Sequence, residues 1–304
     1  MKILVPDLPA FKTLEKHGAE LLPYRSQGGH ASGERTFDQA DGVIFLLGVG
    51  QAQRRALMKT PGVQWVLTLT AGVDHLAPDL PPGVRLFNAS ALHAHAVAVH
   101  VMAGLLGAAR RLHDYRDQQR QEQWQRWPER MQTLQGQKVA LWGYGHIGRE
   151  LERLLGPFGA EVLTVRSASS EQDKADIRAQ ADFVVLLMPS TPQTRGSVNA
   201  EFLRGMKPGA WLHNIGRGDL LVQSDLAAAL REGHLGGALL DVTDPEPLPP
   251  GHPLWGLDNV ILTPHVGSAT ADLDRRAADY AGAFVQALLQ GRQPAGEVDT
   301  GRGY

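Results

Sequence analysis

The stretch Val139-Ala140-Leu141-Trp142-Gly143-Tyr144-Gly145-His146-Ile147-Gly148 runs from a short apolar segment through a glycine-rich turn into a helical pattern, Arg149 to Phe158, which Gly159 ends. Strand, G-x-G-x-x-G turn and helix in that order are the context in which such a turn holds a dinucleotide. Gly143 permits the tight turn, Gly145 lets the backbone approach a pyrophosphate, and Gly148 lets helix and strand pack closely. Tyr144, His146 and Ile147 complete the turn, and the helix N-terminus offers unpaired N–H groups and a partial positive charge to the phosphates. The following strand, Glu161–Val165, selects the dinucleotide: an acidic residue at its end would bond the adenine ribose of NAD, whereas an arginine pairs with the 2′-phosphate of NADP. This strand ends in Arg166-Ser167, with no Asp or Glu between Glu161 and Glu171. Arg166 therefore points to NADP with Ser167 as a second donor, and NAD stays open as the alternative.

Working outward, short apolar runs at Phe183–Leu187, Trp211–Asn214, Gly237–Asp241 and Val260–Leu262 alternate with helical stretches such as Ser224–Glu232. That alternation predicts a doubly wound α/β parallel sheet. Upstream, Lys2–Val5, Gly42–Leu47, Trp65–Thr70 and Val84–Phe87 alternate with segments such as Ala52 to Lys59, which predicts a second, smaller sheet. A chain of 304 residues exceeds what one core usually organises. The expected division is a Rossmann cofactor domain over residues 92–270 and a discontinuous, flavodoxin-like substrate domain over 1–91 and 271–304, with a cleft between them. The helical pattern from Ala269 to Leu289 is expected to return to the first domain, and the polar tail from Gly291 to Tyr304 has little to bury.

The 30 basic residues nearly cancel the 32 acidic ones, so no global field draws the chain to nucleic acid or to an anionic membrane. The absence of cysteine excludes disulfides, thiolate metal sites, iron–sulfur clusters and a cysteine nucleophile. Met1 to Pro6 runs directly into an apolar strand pattern without a signal-peptide layout, so a cytoplasmic location is expected. The apolar stretch Ala91 to Ala109 is interrupted by His93, His95 and His100 and ended by Arg110-Arg111, which fits a packed helix and not a membrane span. Only His93 and His100 share a helical face, two turns apart, and no metal site is expected. Arg110, Arg111, Arg116, Arg120, Arg126 and Arg130 are interleaved with Asp114, Asp117, Glu122 and Glu129, a solvated or subunit-facing pattern. Trp124 and Trp127 read as core or interface anchors.

Downstream of the glycine turn stand Asn214-Ile215-Gly216-Arg217-Gly218, then Asp241-Val242-Thr243-Asp244-Pro245-Glu246-Pro247, then Thr263-Pro264-His265-Val266-Gly267. Hydride transfer to a carbonyl flanked by a carboxylate needs a cation that grips both groups, a proton donor for the nascent alkoxide, and a carboxylate that holds that donor. Arg217, His265 and Glu246 supply one candidate for each role.

These segments resemble the signatures of the D-isomer-specific 2-hydroxyacid dehydrogenases, and the resemblance extends to Thr70-Ala71-Gly72-Val73-Asp74-His75, Met188-Pro189-Ser190-Thr191-Pro192-Gln193-Thr194 and Met206-Lys207-Pro208-Gly209-Ala210. It implies that Arg217 binds the substrate carboxylate and that His265, held by Glu246, donates the proton. It implies further that Asp241, Ile215, Gly216 and His265 face the nicotinamide, that Met188, Pro189, Ser190 and Thr194 line the ribose path, and that Ala71, Gly72 and Val73 form a carboxylate-binding loop. Many relatives carry a glutamate where this chain has Val99. The resemblance implies a homodimer and an NADPH-preferring reductase of glyoxylate, hydroxypyruvate or another small 2-oxo acid. NAD-dependent oxidation of a 2-hydroxy acid such as 3-phosphoglycerate, and a non-enzymatic dinucleotide sensor, are the alternatives.

Overall fold

The computed structural model describes residues 1–25, 37–46 and 48–301. It comprises two compact units, Met1–His93 with Thr270–Tyr304 (unit 1) and Ala94–Ala269 (unit 2).

Unit 1 is built on β1 (Lys2–Pro6), β2 (Glu20–Tyr24), β3 (Gly42–Phe45), β4 (Trp65–Thr68) and β5 (Arg85–Asn88), with α1 (Gln51–Met58) between β3 and β4. All neighbouring strands are parallel, in the order β2-β1-β3-β4-β5, which is the flavodoxin-like winding. Successive side chains alternate between faces, as strand geometry demands. Ile3, Val5, Ile44, Trp65, Leu67 and Phe87 meet Phe11, Leu14 and the C-terminal helix Leu273–Leu289 on one side. Leu4, Val43, Phe45, Val66 and Leu86 meet Leu57 and Met58 of α1 on the other. Phe284 of the C-terminal helix seats its ring between those of Trp65 and Phe87, at 5.2 and 4.9 Å.

Two features of unit 1 differ from the sequence reading. The strand β2 carries Pro23 and is flanked by charge, so it lacks a strand pattern; it forms because it lies at the sheet edge, where a missing N–H costs no ladder bond. The polar tail is not idle: Val298 is buried, its N–H donates to Leu86 O at 2.9 Å, and Asn88 N donates to Gly296 O at 2.8 Å. The tail thus covers the outer edge of β5, which would otherwise present unpaired backbone groups. Of the expected strand Gly42–Leu47, the final residue Leu47 lies outside the described residues.

Unit 2 carries β6 (Lys138–Trp142), β7 (Glu161–Val165), β8 (Phe183–Leu186), β9 (Trp211–Asn214), β10 (Gly237–Leu240) and β11 (Val260–Leu262). Its helices are α2 (Ser90–Ala109, entering from unit 1), α3 (Leu112–Arg120), α4 (His146–Leu155), α5 (Glu171–Gln180), α6 (Ala200–Arg204) and α7 (Gln223–Arg231). The parallel sheet has the order β11-β10-β9-β8-β6-β7. The chain winds outward from β6 to β7, then returns across β6 to β8 and continues the other way, so the winding reverses between β6 and β8. Ligands of open α/β sheets bind outside the carboxyl ends of the strands at such a reversal. One face of the sheet (Ala140, Val184, Leu186, Leu212, Leu240) packs on Phe202, Leu203, Leu226 and Leu230 of α6 and α7. The other (Val139, Leu141, Val185, Leu239) packs on Val101, Leu105 and Ala108 of α2 and Leu151 and Leu155 of α4. Among the described residues, α2 alone is long and apolar enough to cross a membrane, and half of its apolar window is buried within the protein.

His213 of β9 is buried on the α2 face, where only the hydrogen of Gly104 leaves room for its ring: a Cβ there would lie 3.0 Å from His213 Cε1. Burial, with His100 nearby, holds its imidazole down to about 3, and its Nδ1 has no hydrogen-bond partner among the described residues. The ordinary value is about 6.5, so the unfolded chain takes up a proton below that pH while the folded one does not. The contribution of neutral His213 to stability is complete above about pH 6.5 and is lost as pH falls from there toward 3. Urea unfolding at pH 7 and pH 5 should therefore show a loss about 2 kcal/mol smaller in His213→Gln than in the wild type. A parallel loss in both proteins would assign the acid sensitivity elsewhere.

Candidate active site

The segments read as cofactor-binding or catalytic in unit 2 lie at the carboxyl ends of strands of its sheet, whereas Met206 to Ala210 precede β9. Gly143 follows β6, Arg166 follows β7, Met188 follows β8, Ile215 to Arg217 follow β9, Asp241 to Glu246 follow β10, and Thr263 to His265 follow β11. Because all six strands are parallel, side chains from well-separated stretches of chain are gathered along one edge.

At the reversal between β6 and β8, Gly143 adopts φ +105° and presses so close to the next strand that a Cβ would lie 2.9 Å from the carbonyl carbon of Leu187. Gly145 stands at the N-cap of α4 without a capping side chain, and the space where its Cβ would point is open. His146, Ile147 and Gly148 form the first turn of α4. An open cradle before an uncapped helix N-terminus fits a dinucleotide pyrophosphate. Arg166 and Ser167 are exposed beyond β7. Next to β8, Thr194 Oγ1 donates to Pro189 O at 2.7 Å and accepts from Thr191 N at 2.8 Å, so Thr194 shapes the Met188-Pro189-Ser190 loop from within. Ser190 Oγ donates to Asp219 Oδ2 at 2.6 Å.

Arg217 sits on a turn that admits no side chain on either flank. A Cβ on Gly216 would lie 2.9 Å from Met188 O, and one on Gly218 would lie 1.9 Å from Thr243 O. Buried Asn214 closes the turn, donating from Nδ2 to Arg217 O at 2.8 Å and accepting from Gly216 N at 3.1 Å. Arg217 itself is half-buried, with Nη1 donating to Gly216 O at 2.8 Å. The close approach of Gly218 to Thr243 joins the arginine turn to the loop that carries Glu246.

His265 Nδ1 lies 2.9 Å from Glu246 Oε2, and both side chains are partly exposed. Glu246 also accepts from Thr243 N at 3.2 Å through Oε1. His265 has φ +52°, a left-handed conformation that costs a non-glycine residue about 1–3 kcal/mol unless its surroundings impose it. They do so through Asp241. Its buried carboxylate accepts from Thr263 Oγ1 at 2.5 Å, from Val266 N at 2.9 Å and from Gly267 N at 2.9 Å, and Asp241 O accepts from His265 N at 2.8 Å. Asp241 thus turns its carboxylate to the loop of His265, while Oδ2 keeps capacity for one further donor. From α2, His100 Nε2 lies 3.2 Å from Thr263 Oγ1 and 3.6 Å from Asp241 Oδ1. The single hydroxyl proton of Thr263 is committed to Asp241, so His100 is the donor and its Nε2 carries the hydrogen.

In unit 1, Ala71, Gly72 and Val73 follow β4. Thr70 Oγ1 donates to Gly72 O at 2.8 Å and Asn88 Nδ2 donates to Ala71 O at 3.1 Å, while the N–H groups of Gly72 and Val73 make no hydrogen bond among the described residues.

Sequence reasoning missed Asn214 in this role, Thr263 and His100. Each acts by a hydrogen bond to backbone or to a distant side chain, and no local spacing announces such a bond; Asn214 and Thr263 did stand inside motifs quoted for their neighbours.

Residues 102–267 match the family described as D-isomer specific 2-hydroxyacid dehydrogenase, NAD binding domain. The chain is 32% identical over 253 residues to the human glyoxylate reductase/hydroxypyruvate reductase, covering 78% of this chain and 77% of that one. It is 31% identical over 284 residues to the glyoxylate reductase of Thermofilum pendens, covering 87% and 83%. Among solved structures, a D-isomer specific 2-hydroxyacid dehydrogenase from Xanthobacter autotrophicus in complex with NADPH superposes with a TM-score of 0.84 at 27% identity, over 100% of this chain and 99% of the other. The chain belongs to the D-isomer specific 2-hydroxyacid dehydrogenases, oxidoreductases that work with NAD or NADP.

Proposed function

We propose that this enzyme is an NADPH-preferring reductase of small 2-oxo acids, with glyoxylate and hydroxypyruvate as its foremost substrates. The observation that carries the reaction is the His265–Glu246 pair, held beside the arginine turn on the sheet edge that also bears the glycine cradle. The exposed Arg166, with no acidic residue at the end of β7, supports NADPH. The relatives named as glyoxylate or hydroxypyruvate reductases support the substrate class.

The bound dinucleotide supplies the hydride that becomes the C2 hydrogen of the product. The first turn of α4 and the 188–190 loop would hold it, and Arg166 and Ser167 would receive its 2′-phosphate. Arg217 spreads its planar guanidinium over the substrate carboxylate and the adjacent carbonyl oxygen, an arrangement that lysine cannot reproduce. With Nδ1 tied to Glu246, His265 presents Nε2–H and gives that proton to the carbonyl oxygen. Asp241, through Thr263, Val266 and Gly267, holds the imidazole where that transfer occurs.

Purified protein should consume NADPH faster than NADH with glyoxylate or hydroxypyruvate, and Arg166→Asp should shift the preference toward NADH. Removing the proton donor in His265→Ala should lower kcat by about 100- to 10,000-fold. Dinucleotide binding without turnover on any 2-oxo acid would replace the reductase by a sensor.

The glycine contacts yield a second expectation. Gly218→Ala drives a methyl group into Thr243 O and moves Arg217, and misplacement of that kind costs about a hundredfold in kcat/KM. NADPH affinity should stay unchanged in the same variant; a fully active variant would show that the turn relaxes without cost.

Leu112 and Trp255 are more than half exposed and Trp124 is 93% exposed, and we propose that the protein is a homodimer in which the second copy covers exposed apolar side chains of this kind. Light scattering should give the mass of two chains, and a concentration-independent mass of one chain would refute the dimer.

A further inference from the structure

Arg166 makes no hydrogen bond or ion pair through its guanidinium among the described residues; its one fixed contact is a ring. The guanidinium carbon lies 4.5 Å from the centroid of Tyr144, the residue between the first two glycines of the cradle. Tyr144 is itself clamped. Its hydroxyl donates to the carboxylate of Glu152 on α4, and that bond, ahead of burial, pushes the phenol above its ordinary range. A Cβ on Gly148 would lie 3.2 Å from Tyr144 Cδ2, so the glycine leaves room for the ring against the helix. Behind the guanidinium, the backbone of Arg166 is fixed by Ser169, whose Oγ accepts from Arg166 N at 3.0 Å.

An exposed arginine that grips a phosphate must first give up much of its rotamer freedom. Stacking on an aromatic face removes that freedom in advance and leaves the edge of the guanidinium, where its N–H donors lie, open to an anion. We propose that Tyr144 determines the preference for a 2′-phosphorylated dinucleotide, by serving as the platform that orients Arg166. The inference rests on the proposed binding of the 2′-phosphate by Arg166 and adds a residue that the rule for strand ends does not include.

The test is calorimetric binding of two fragments, adenosine 2′,5′-bisphosphate and 5′-AMP, to the wild type and to Tyr144→Leu, Tyr144→Phe and Arg166→Ala. Tyr144→Leu keeps apolar bulk beside Gly148 and loses the aromatic face. It should weaken the bisphosphate about two- to fivefold, the range of an exposed cation–π contact, and leave 5′-AMP unchanged. Tyr144→Phe should bind both fragments like the wild type. The ratio of kcat/KM with NADPH to that with NADH should fall by the same factor in Tyr144→Leu. Equal weakening of both fragments would mean damage to the cradle and overturn the proposal, as would no change in either, or a loss in Tyr144→Phe as large as in Tyr144→Leu. Arg166→Ala separates the two readings: if it spares the bisphosphate, the assignment of the 2′-phosphate to Arg166 fails, whereas a loss there with none in Tyr144→Leu removes only the platform.

Discussion

The buried carboxylate of Asp241 is the constraint on which the reacting groups depend. A carboxylate taken out of water is costly unless its lone pairs are filled, and here Thr263 Oγ1, Val266 N and Gly267 N fill three of them. The donors all come from one loop, so satisfying the charge also folds that loop around it. His265 lies between the donors and is left in the left-handed region at φ +52°. The strain at the histidine and the solvation of the aspartate are two sides of one arrangement. Replacing the carboxylate by an apolar group would remove the partner of two backbone amides and the reason for the loop's shape at once.

Around that anchor, glycines set the distances. Gly267 approaches Asp241 so closely that a Cβ would lie 3.0 Å from Oδ2 and 2.7 Å from Ile215 Cδ1, which packs the histidine loop on the chain that leads into Arg217. Gly216 against Met188 O and Gly218 against Thr243 O join the arginine turn to the loops on either side. Backbone meets backbone at Gly216 and Gly218, while Gly267 meets the side chains of Asp241 and Ile215, so the three loops pack as one layer over the sheet edge.

Much of this was legible in the sequence because it has a period or a local signature. Strands that alternate two buried faces read as short apolar runs, and ten of the eleven strands among the described residues show such a run; β2, with Pro23 in its middle, does not, and it exists because an edge tolerates proline. Winding order was legible only as a class. The reversal between β6 and β8 depends on where the chain goes after α5, and a ten-residue helix does not announce on which side of β6 the next strand will pair. Val298 looked like part of an idle tail because one valine among polar residues carries no pattern; its burial comes from pairing along β5, more than 200 residues away in the chain. Arg217, Glu246 and His265 were visible as residue types in order, but not the Asp241 carboxylate that shapes the histidine loop.

Many relatives would put a glutamate at position 99, yet the Val99 side chain is 46% exposed, while its neighbour His100 faces Thr263 and Asp241. Consecutive residues on a helix point about 100° apart, so a change at 99 leaves the contact at 100 intact. What α2 contributes to the histidine loop in this chain therefore passes through His100, the hydrogen-bond donor to Thr263. That donor can be lost without leaving Asp241 unpartnered, because the carboxylate still accepts from Thr263, Val266 and Gly267. Support for the loop is thus layered: the aspartate shapes it, and His100 fixes the orientation of the hydroxyl through which the aspartate holds it.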